Sequence, residues 1–539
     1  MANQAKLKYI LVGLIILGIG GWSKAGETAA DTAGVKVGEI ISDTSGETIS
    51  DTSGDTISET AGVKAGEAAG DMATALQDSL VLLQASGYSY DSLYPWKHDD
   101  LEEKIGYGSA VGEYQVLTTA YCVTDAAFIK ALRHGQNEYI PAKIKVVDYE
   151  SKLVLLELDK SAMSAPLKPI KFSEDFSKGA AVDFYRLGND GQIYSGRGYI
   201  DRVKLYQSTL SYASFLNYVI GNISQQAGLG NLFCQEGKFI GIGCWYNNSQ
   251  NESGVVPAVV INHFLADAAE GQYQGFPAVG FAADELVDPA VRAYLKMPQE
   301  QKDGIYVSNV FTIGTGSDAL KPQDVILAIE GVPINAHGLY RDEKYDWLGF
   351  EHLINMKQVG QTITFDVWRD GTNQRIPAQT KNFPASQMLV PYYEYGCQPQ
   401  YLVTGGFIFQ QLTRKYLSRW GDNWDGKVSA HLYHYCRDLA FMPSGDRREV
   451  VILSRVLPAD INLGYQNLGQ LVVKTFNGKA IGSMADILAA QKLSPEAKFD
   501  IVEFENDNPT VVIPRDKLAL ADALIARRYG IDKMFNVNQ

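Results

Sequence analysis

Hydrolysis of a peptide bond needs a nucleophilic hydroxyl or thiol, an imidazole titrating near neutrality and a carboxylate to orient it. The 539-residue chain offers seven histidines (His98, His134, His263, His337, His352, His431 and His434) and five cysteines (Cys122, Cys234, Cys244, Cys397 and Cys436). No histidine stands in a recognisable motif, and His134, in the charged stretch ALRHGQNEY, is expected to be exposed. No CxxC, HExxH or other metal-ligand spacing occurs, so neither a metal nor any other cofactor is expected. The stretch 223–245, ISQQAGLGNLFCQEGKFIGIGCW, reads as a glycine-bearing loop (Gln226–Asn231) that enters a strand, a charged turn (Gln235–Lys238) and a second strand (Phe239–Trp245). Cys234 and Cys244 flank that turn and could be bridged in an oxidising compartment, but buried thiols are the reading favoured. Ser224 lies on the approach to the loop and reads as a strand residue facing solvent, not as a nucleophile.

The elements that must position such residues are short strands with glycine-rich turns. From about 79 to 265 these include VLTTAYCV (116–123), AKIKVVDY (142–149), KLVLLELD (152–159), AAVDFYRLG (180–188) and SGRGYIDRVKLY (195–206). This spacing argues for an all-β barrel or sandwich.

Several of these segments, in this order, resemble the trypsin-like domain of the Deg/HtrA (protease Do-like) family. Tyr107–Val111 resembles its GSGF strand, and Leu117–Val123 resembles LTNAHSV, which carries the catalytic histidine. Lys152–Leu156 resembles DLALL, which carries the aspartate, and EGKFIGIG resembles the strand after the GNSGG nucleophile loop. The resemblance places Tyr121, Lys152 and Gly228 at the histidine, aspartate and serine positions. Glycine has no nucleophile, a tyrosine with a pKa near 10 is a poor base at neutral pH, and lysine cannot accept from an imidazole. The three changes together imply a pseudoprotease. Ser109 falls at a structural serine of the family, and strand alternation would turn Cys122 away from the cleft. Tyr121 and Lys152 are expected to pack or hydrogen-bond across the old cleft. Leu229, in place of a small loop residue, implies a filled oxyanion pocket. An active endopeptidase with rearranged residues is the alternative.

Beyond residue 276 the pattern changes. A short helix, Pro289–Lys296, precedes GIYVSNV (304–310), and LKPQDVILAIEGVPI is a PDZ signature. A helix at Gly349–Gln358 and a hairpin at Gln361–Ile376 follow. The resemblance makes Ala278-Val279-Gly280-Phe281 the carboxylate-binding loop. There a glycine would aim backbone N–H groups at a peptide C-terminus that adds as a strand. YLVTGGFIF (401–409) and REVVILSRVLPADINLGYQNLGQLVVKTFNGKAIGS (448–483) resemble the second PDZ of plant-type Deg proteases. A helical insertion lies between Thr413 and Arg448.

Composition sets the outer bounds. An apolar fraction of 46% and a charged fraction of 20% are ordinary for globular protein. A net charge of −14 leaves no electrostatic footprint for nucleic acid and no attraction to anionic lipid. Residues 1–25 read as a signal peptide, with Lys6 and Lys8 before the apolar run Tyr9–Gly21 and small residues at Ser23 and Ala25. An uncleaved anchor is the alternative, although the run is short of the roughly 20 residues a span needs. DTSGETIS (43–50) returns as DTSGDTIS (51–58), and DTAGVKVG (31–38) as ETAGVKAG (59–66), too poor in apolar residues to order itself. Met72, Leu76, Leu80 and Leu83 fit a helix capped by Asp71, yet Leu80–Gln84 fits a strand equally.

The expected fold class is mainly β, a trypsin-like double β-barrel followed by two PDZ-like domains. The expected units are a signal (1–25), a low-complexity linker (26–78), an inactive protease-fold domain (79–268), PDZ1 (270–385) and a divergent PDZ2 (388–539). The resemblance further implies an extracytoplasmic protein that binds protein C-termini or unfolded polypeptides. It also implies trimer-based assembly, with itself or with an active paralogue, and membrane attachment only through an uncleaved N-terminus.

Overall fold

The computed structural model describes residues 67–537 apart from 222, 224–227, 422, 494 and 507. The calls on the signal, on the repeats and on Ser224 therefore lie outside the described residues. A helix, α1 (Glu67–Ala75), occupies the end of the stretch expected to be linker. Asp71 lies inside it and is no cap, while Leu76 and Leu80 bury between the barrels beside Leu132 and Tyr185. Helix and strand readings were both half right: the helix ends at Ala75 and β1 (Leu80–Gly87) follows.

The first barrel closes β1, β2 (Glu102–Gly112), β3 (Gln115–Thr119), β4 (Ala126–Arg133), β5 (Ile140–Asp148) and β6 (Leu153–Leu158) in the order β1-β2-β3-β6-β5-β4. The second closes β7 (Ala181–Leu187), β8 (Ile193–Gln207), β9 (Ser214–Gly221), β10 (Leu232–Gln235), β11 (Lys238–Asn247) and β12 (Glu252–Pro257) in the order β10-β11-β12-β9-β8-β7. Strands facing both cores are apolar on both faces. In β6, Val154 and Leu156 fill the first barrel while Leu153 and Leu155 pack outward with Leu216, Val219 and Ile242 of the second. The β10–β11 turn has Glu236 at φ 51° and Gly237 at φ 78°, the left-handed pair that matches strand twist. Cys234 lies opposite Phe239, whereas the Cys244 thiol donates to Asn217 Oδ1 at 3.2 Å, so the two thiols enter different packing clusters and are unbridged.

After α2 (Ala258–Ala269) comes a sheet of β13 (Phe281–Glu285), β14 (Ile305–Val310), β15 (Val325–Ile329), the short β16 (Val332–Pro333), β19 (Thr362–Arg369) and β20 (Thr372–Gln379). The hairpin β17 (Leu339–Asp342)–β18 (Asp346–Gly349) and helices α3 (Pro289–Tyr294) and α4 (Glu351–Asn355) complete the unit. Asp288 caps α3, accepting from Ala290 N at 2.8 Å. This sheet does not hang on a hinge. Phe281, Ile305, Ile326 and Phe365 share one continuous apolar cluster with Leu216, Ile242, Val260 and Phe276. Asn355 Nδ2 also donates to Ser214 O at 2.9 Å.

The last sheet runs β27 (Val511–Pro514), β26 (Phe499–Phe504), β24 (Leu471–Phe476), β23 (Val451–Val456), β22 (Phe407–Gln411), β21 (Tyr401–Thr404) and β28 (Phe535–Asn536), with β25 (Lys479–Ala480) beside β24. The insertion holds α5 (Arg414–Ser418) and α6 (Ala430–Arg437), capped by Thr413 and Ser429, whose hydroxyls accept from Tyr416 N and Leu432 N. Helices α7 (Met484–Gln491) and α8 (Arg515–Tyr529) close the unit. The β1–β2 connection reaches across to it: Gln410 Nε2 donates to Ser92 O at 3.0 Å and Trp96 Nε1 to Tyr529 O at 3.3 Å. No helix among the described residues is long and apolar enough to cross a membrane.

Candidate functional site

The expected strand VLTTAYCV stops at Thr119. Thr118 Oγ1 donates to Tyr107 O at 2.6 Å and Ala120 N to Lys152 O at 2.8 Å, and the chain then winds into a 3-10 turn over Ala120–Val123. Strand alternation therefore does not govern Cys122. Its thiol is buried in the first barrel's core, so close to Gly106 that a Cβ there would sit 2.2 Å from Sγ, and burial pushes its pKa up to about 11. A thiol so held stays protonated at neutral pH.

The same turn buries Tyr121 to 6% exposure and pairs its hydroxyl with that of Thr209. Around it pack Leu210, Tyr149, Leu229 and Tyr395. Tyr395 belongs to the segment that leads from β20 into β21. Its ring lies 4.2 Å from that of Tyr149, and its hydroxyl donates to Leu210 O at 3.3 Å. The next residue is pinned as well, Gly396 N donating to Asp125 Oδ1 at 2.7 Å. Burial raises the Tyr149 hydroxyl to about 12, with the Asp125 carboxylate adding to the effect. The Tyr149 hydroxyl is therefore neutral at physiological pH. Tyr121 does pack and hydrogen-bond as expected, but its partners are Thr209 and this aromatic cluster.

Lys152 is 1% exposed and left-handed, at φ 66°, with Nζ 5.9 Å from the Tyr206 ring centre. Asp148 accepts from Glu150 N at 2.8 Å, from Ser151 N at 2.9 Å and from the Tyr273 hydroxyl, so it fixes this turn. Burial holds its pKa above the usual carboxylate range.

At the loop, Gly230 N donates to Gly243 O at 2.7 Å and Asn231 N to Gly228 O at 3.3 Å, so both amides are spent internally. Gly230, at φ 85°, could bear no side chain: a Cβ would lie 1.8 Å from Tyr107 O. A Cβ on Gly228 would meet Tyr107 Cε2 at 2.7 Å. Gln226 and Ala227 lie outside the described residues.

The histidines are dispersed. His134 is not exposed as expected but half-buried, its Nδ1 2.8 Å from Gly191 O between turns of the two barrels. His263 stacks on Phe276 and meets Lys357 O at 2.9 Å, and burial lowers His352 to about 4. His337, His431 and His434 face Glu285, Glu505 and Asp438, and His98 stacks on Tyr88. Among the described residues none is hydrogen-bonded to a serine hydroxyl or cysteine thiol. No cluster placed to hold a metal occurs among them either.

The second site is the free edge of β13. Here Gly280 plays a different part from the one its sequence position suggests. Its N–H donates inward to Thr315 O at 2.8 Å, and its C=O accepts from Phe311 N at 2.9 Å. A Cβ would lie 2.7 Å from Thr315 O, so the glycine permits that close approach. Ala278 N is likewise bound to Lys381 O at 2.8 Å. Strand alternation then turns the N–H groups of Val279 and Phe281 to the opposite edge, where no strand among the described residues pairs with β13. Two of the four expected loop residues therefore turn their amides to that edge, and they are the two that flank the glycine.

Residues 390–535 match the family described as PDZ domain. Protease Do-like 2, chloroplastic, of Arabidopsis thaliana is 26% identical over 82% of this chain and 72% of its own length. Protease Do-like 4, mitochondrial, of the same plant is 27% identical over 74% and 73%. Among solved structures, HtrA-type protease AlgW with decapeptide superposes with a TM-score of 0.43 at 17% identity, covering 57% of this chain and 96% of that one. The sequence similarities support a Deg/HtrA (protease Do-like) relationship, and the chain is a homologue of those proteases with a PDZ domain.

Proposed function

We propose that this protein is a catalytically inactive Deg/HtrA homologue that captures peptides along β13 and acts as a scaffold, chaperone-like binder or regulator of proteolysis. The observation that carries the reading is the fate of the histidine position. Tyr121 stands buried in an aromatic cluster whose cover, Tyr395, comes from another part of the chain. A substrate carbonyl would have to displace that cover and would then meet a phenol, which is protonated at neutral pH. Peptide capture is supported by the unpaired edge and the outward amides of Val279 and Phe281, the geometry that strand addition uses. Trimer-based assembly and an extracytoplasmic location belong to the same proposal.

The test has two arms on the purified full chain. A fluorophosphonate probe and casein report catalysis, and an array of C-terminal peptides reports capture. No labelling with peptide binding is the expected result. Serine-dependent labelling or cleavage would establish the rearranged endopeptidase instead. The full chain is required because a fragment cut at residue 270 would expose the apolar cluster shared with the second barrel.

A further inference from the structure

β23 and β24 run together for only two residue pairs, Ile452 with Val472 and Leu453 with Leu471, before β24 turns to β26. The strands splay, and the gap opens a pocket of about 450 Å³. Its floor is Ser454 and Arg455, crossed by Gly469 so closely that a Cβ would lie 2.9 Å from Ser454 O. Arg419 and Trp420, just beyond α5, form one wall, and Asn467 and Gln470 the other.

Among the described residues the lining includes two arginines and no acidic residue. Neither Arg419 nor Arg455 takes part in an ion pair among the described residues. In a chain with 62 acidic and 48 basic residues, this is a patch of opposite sign to the whole. Arg455 is also held in place. Its guanidinium lies 5.0 Å over the Tyr94 ring and donates to the Tyr94 hydroxyl, while Lys97 Nζ sits 5.2 Å from the same ring. Asp91, on the same connection as Leu93, is turned to the backbone, accepting from Leu93 N at 2.7 Å and Tyr94 N at 3.2 Å. Gln470 Oε1 accepts from Ser429 N at 3.0 Å, which leaves its NH₂ to donate.

We propose that this pocket binds an oxyanion, a carboxylate or phosphate group, between Arg419 and Arg455, with Gln470 and Asn467 as further donors. Planar guanidinium groups with fixed donors suit such a ligand better than point charges would. The site is separate from the cleft and from β13.

The test titrates the full chain with inorganic phosphate and, separately, with succinate at constant ionic strength, read by calorimetry. Saturable binding of one equivalent is expected. Arg419→Gln and Arg455→Gln should each weaken it about tenfold or more, the worth of one charged hydrogen bond. Arg375→Gln, at an exposed ion pair on another sheet, should leave it unchanged. Binding of phosphate alone or of succinate alone supports the site and names the group it takes. Absence of saturable binding by both probes overturns it. So does binding that survives both pocket variants, or that weakens equally in Arg375→Gln. Arg419 is exposed, so its variant stays folded and decides the matter even if Arg455→Gln does not.

Discussion

Tyr395→Ala tests whether the segment between β20 and β21 covers Tyr121. The side chain contributes a ring pair with Tyr149 at 4.2 Å and a hydrogen bond to Leu210 O at 3.3 Å. It also covers Tyr121 and Leu210. The pair is worth about 1 kcal/mol, the hydrogen bond about 1 kcal/mol, and the half-buried ring about 1 kcal/mol of apolar cover. Removing all three lowers the free energy of local opening by about 3 kcal/mol, which raises amide exchange by about two orders of magnitude. Tyr395→Phe keeps the ring and loses only the hydrogen bond, so it should raise exchange only about fivefold. The assay is hydrogen–deuterium exchange read by mass spectrometry at 117–124 and 206–213, with β21 and β22 as internal reference. Faster exchange in both windows, unchanged reference strands and a much smaller effect of Tyr395→Phe are expected. If Tyr395→Ala leaves both windows as they were, the segment is a bystander and the cleft is closed by something else.

Four further outcomes follow from the same geometry. The triple change Tyr121→His, Lys152→Asp, Gly228→Ser should show no fluorophosphonate labelling on a gel, because a Cβ at 228 meets Tyr107 at 2.7 Å and Tyr395 still covers the site; strong labelling would refute the closed cleft. Gly280→Ala should cost about 1–3 kcal/mol in chemical denaturation and weaken peptide capture, since the new methyl presses on Thr315 O at 2.7 Å. Arg369→Ala strands the buried carboxylate of Asp324, now bridged at 2.6 and 2.7 Å, and should destabilise by about 3–5 kcal/mol. Asp284, on β13, is raised to about 6 by burial. The folded state therefore binds more protons than the unfolded one between about pH 4 and 6, and stability falls as pH rises through that window. Asp284→Asn should raise the unfolding midpoint at pH 7 and leave it unchanged at pH 4; a gain that is equal at both would refute the assignment.

How much of this the sequence could disclose depended on whether the signal was local. Strands with one dominant partner set, such as β7 and β19, carry the apolar alternation that locates them. The β10–β11 hairpin was legible from its Glu236-Gly237 turn, because left-handed φ values select those residues. The Ala120–Val123 turn was not, since VLTTAYCV is as β-prone as any strand here; what ends it is a pair of long-range hydrogen bonds, to Tyr107 O and Lys152 O. Gly280 was singled out as a loop glycine, and what requires a glycine there is the approach of Thr315, 35 positions on. The cover over Tyr121 left only one trace, the tyrosine-rich run Tyr392-Tyr393-Glu394-Tyr395 at the start of the stretch expected to be PDZ2, and nothing local told which surface it would meet.

The cover over Tyr121 and the placement of the last sheet are linked. A histidine at position 121 would need water, a carboxylate and room to rotate between proton donor and acceptor. A tyrosine there needs none of these and offers an apolar ring on which Tyr395 can lie. Once that segment is seated, Gly396 binds Asp125, and Tyr212 Oη donates to Val390 O at 3.2 Å. The same chain then runs on into β21, so the cleft's cover and the placement of the last sheet are one set of contacts. The unit that carries β13 is fixed through α4 and the apolar cluster shared with the second barrel, and it also meets the insertion, where Thr312 N donates to Phe441 O at 3.3 Å. Peptide added to β13 would lie one strand away from that cluster. Its effect on the barrel should accordingly be read at β9 and α2, which touch the shared packing, and not at Tyr121.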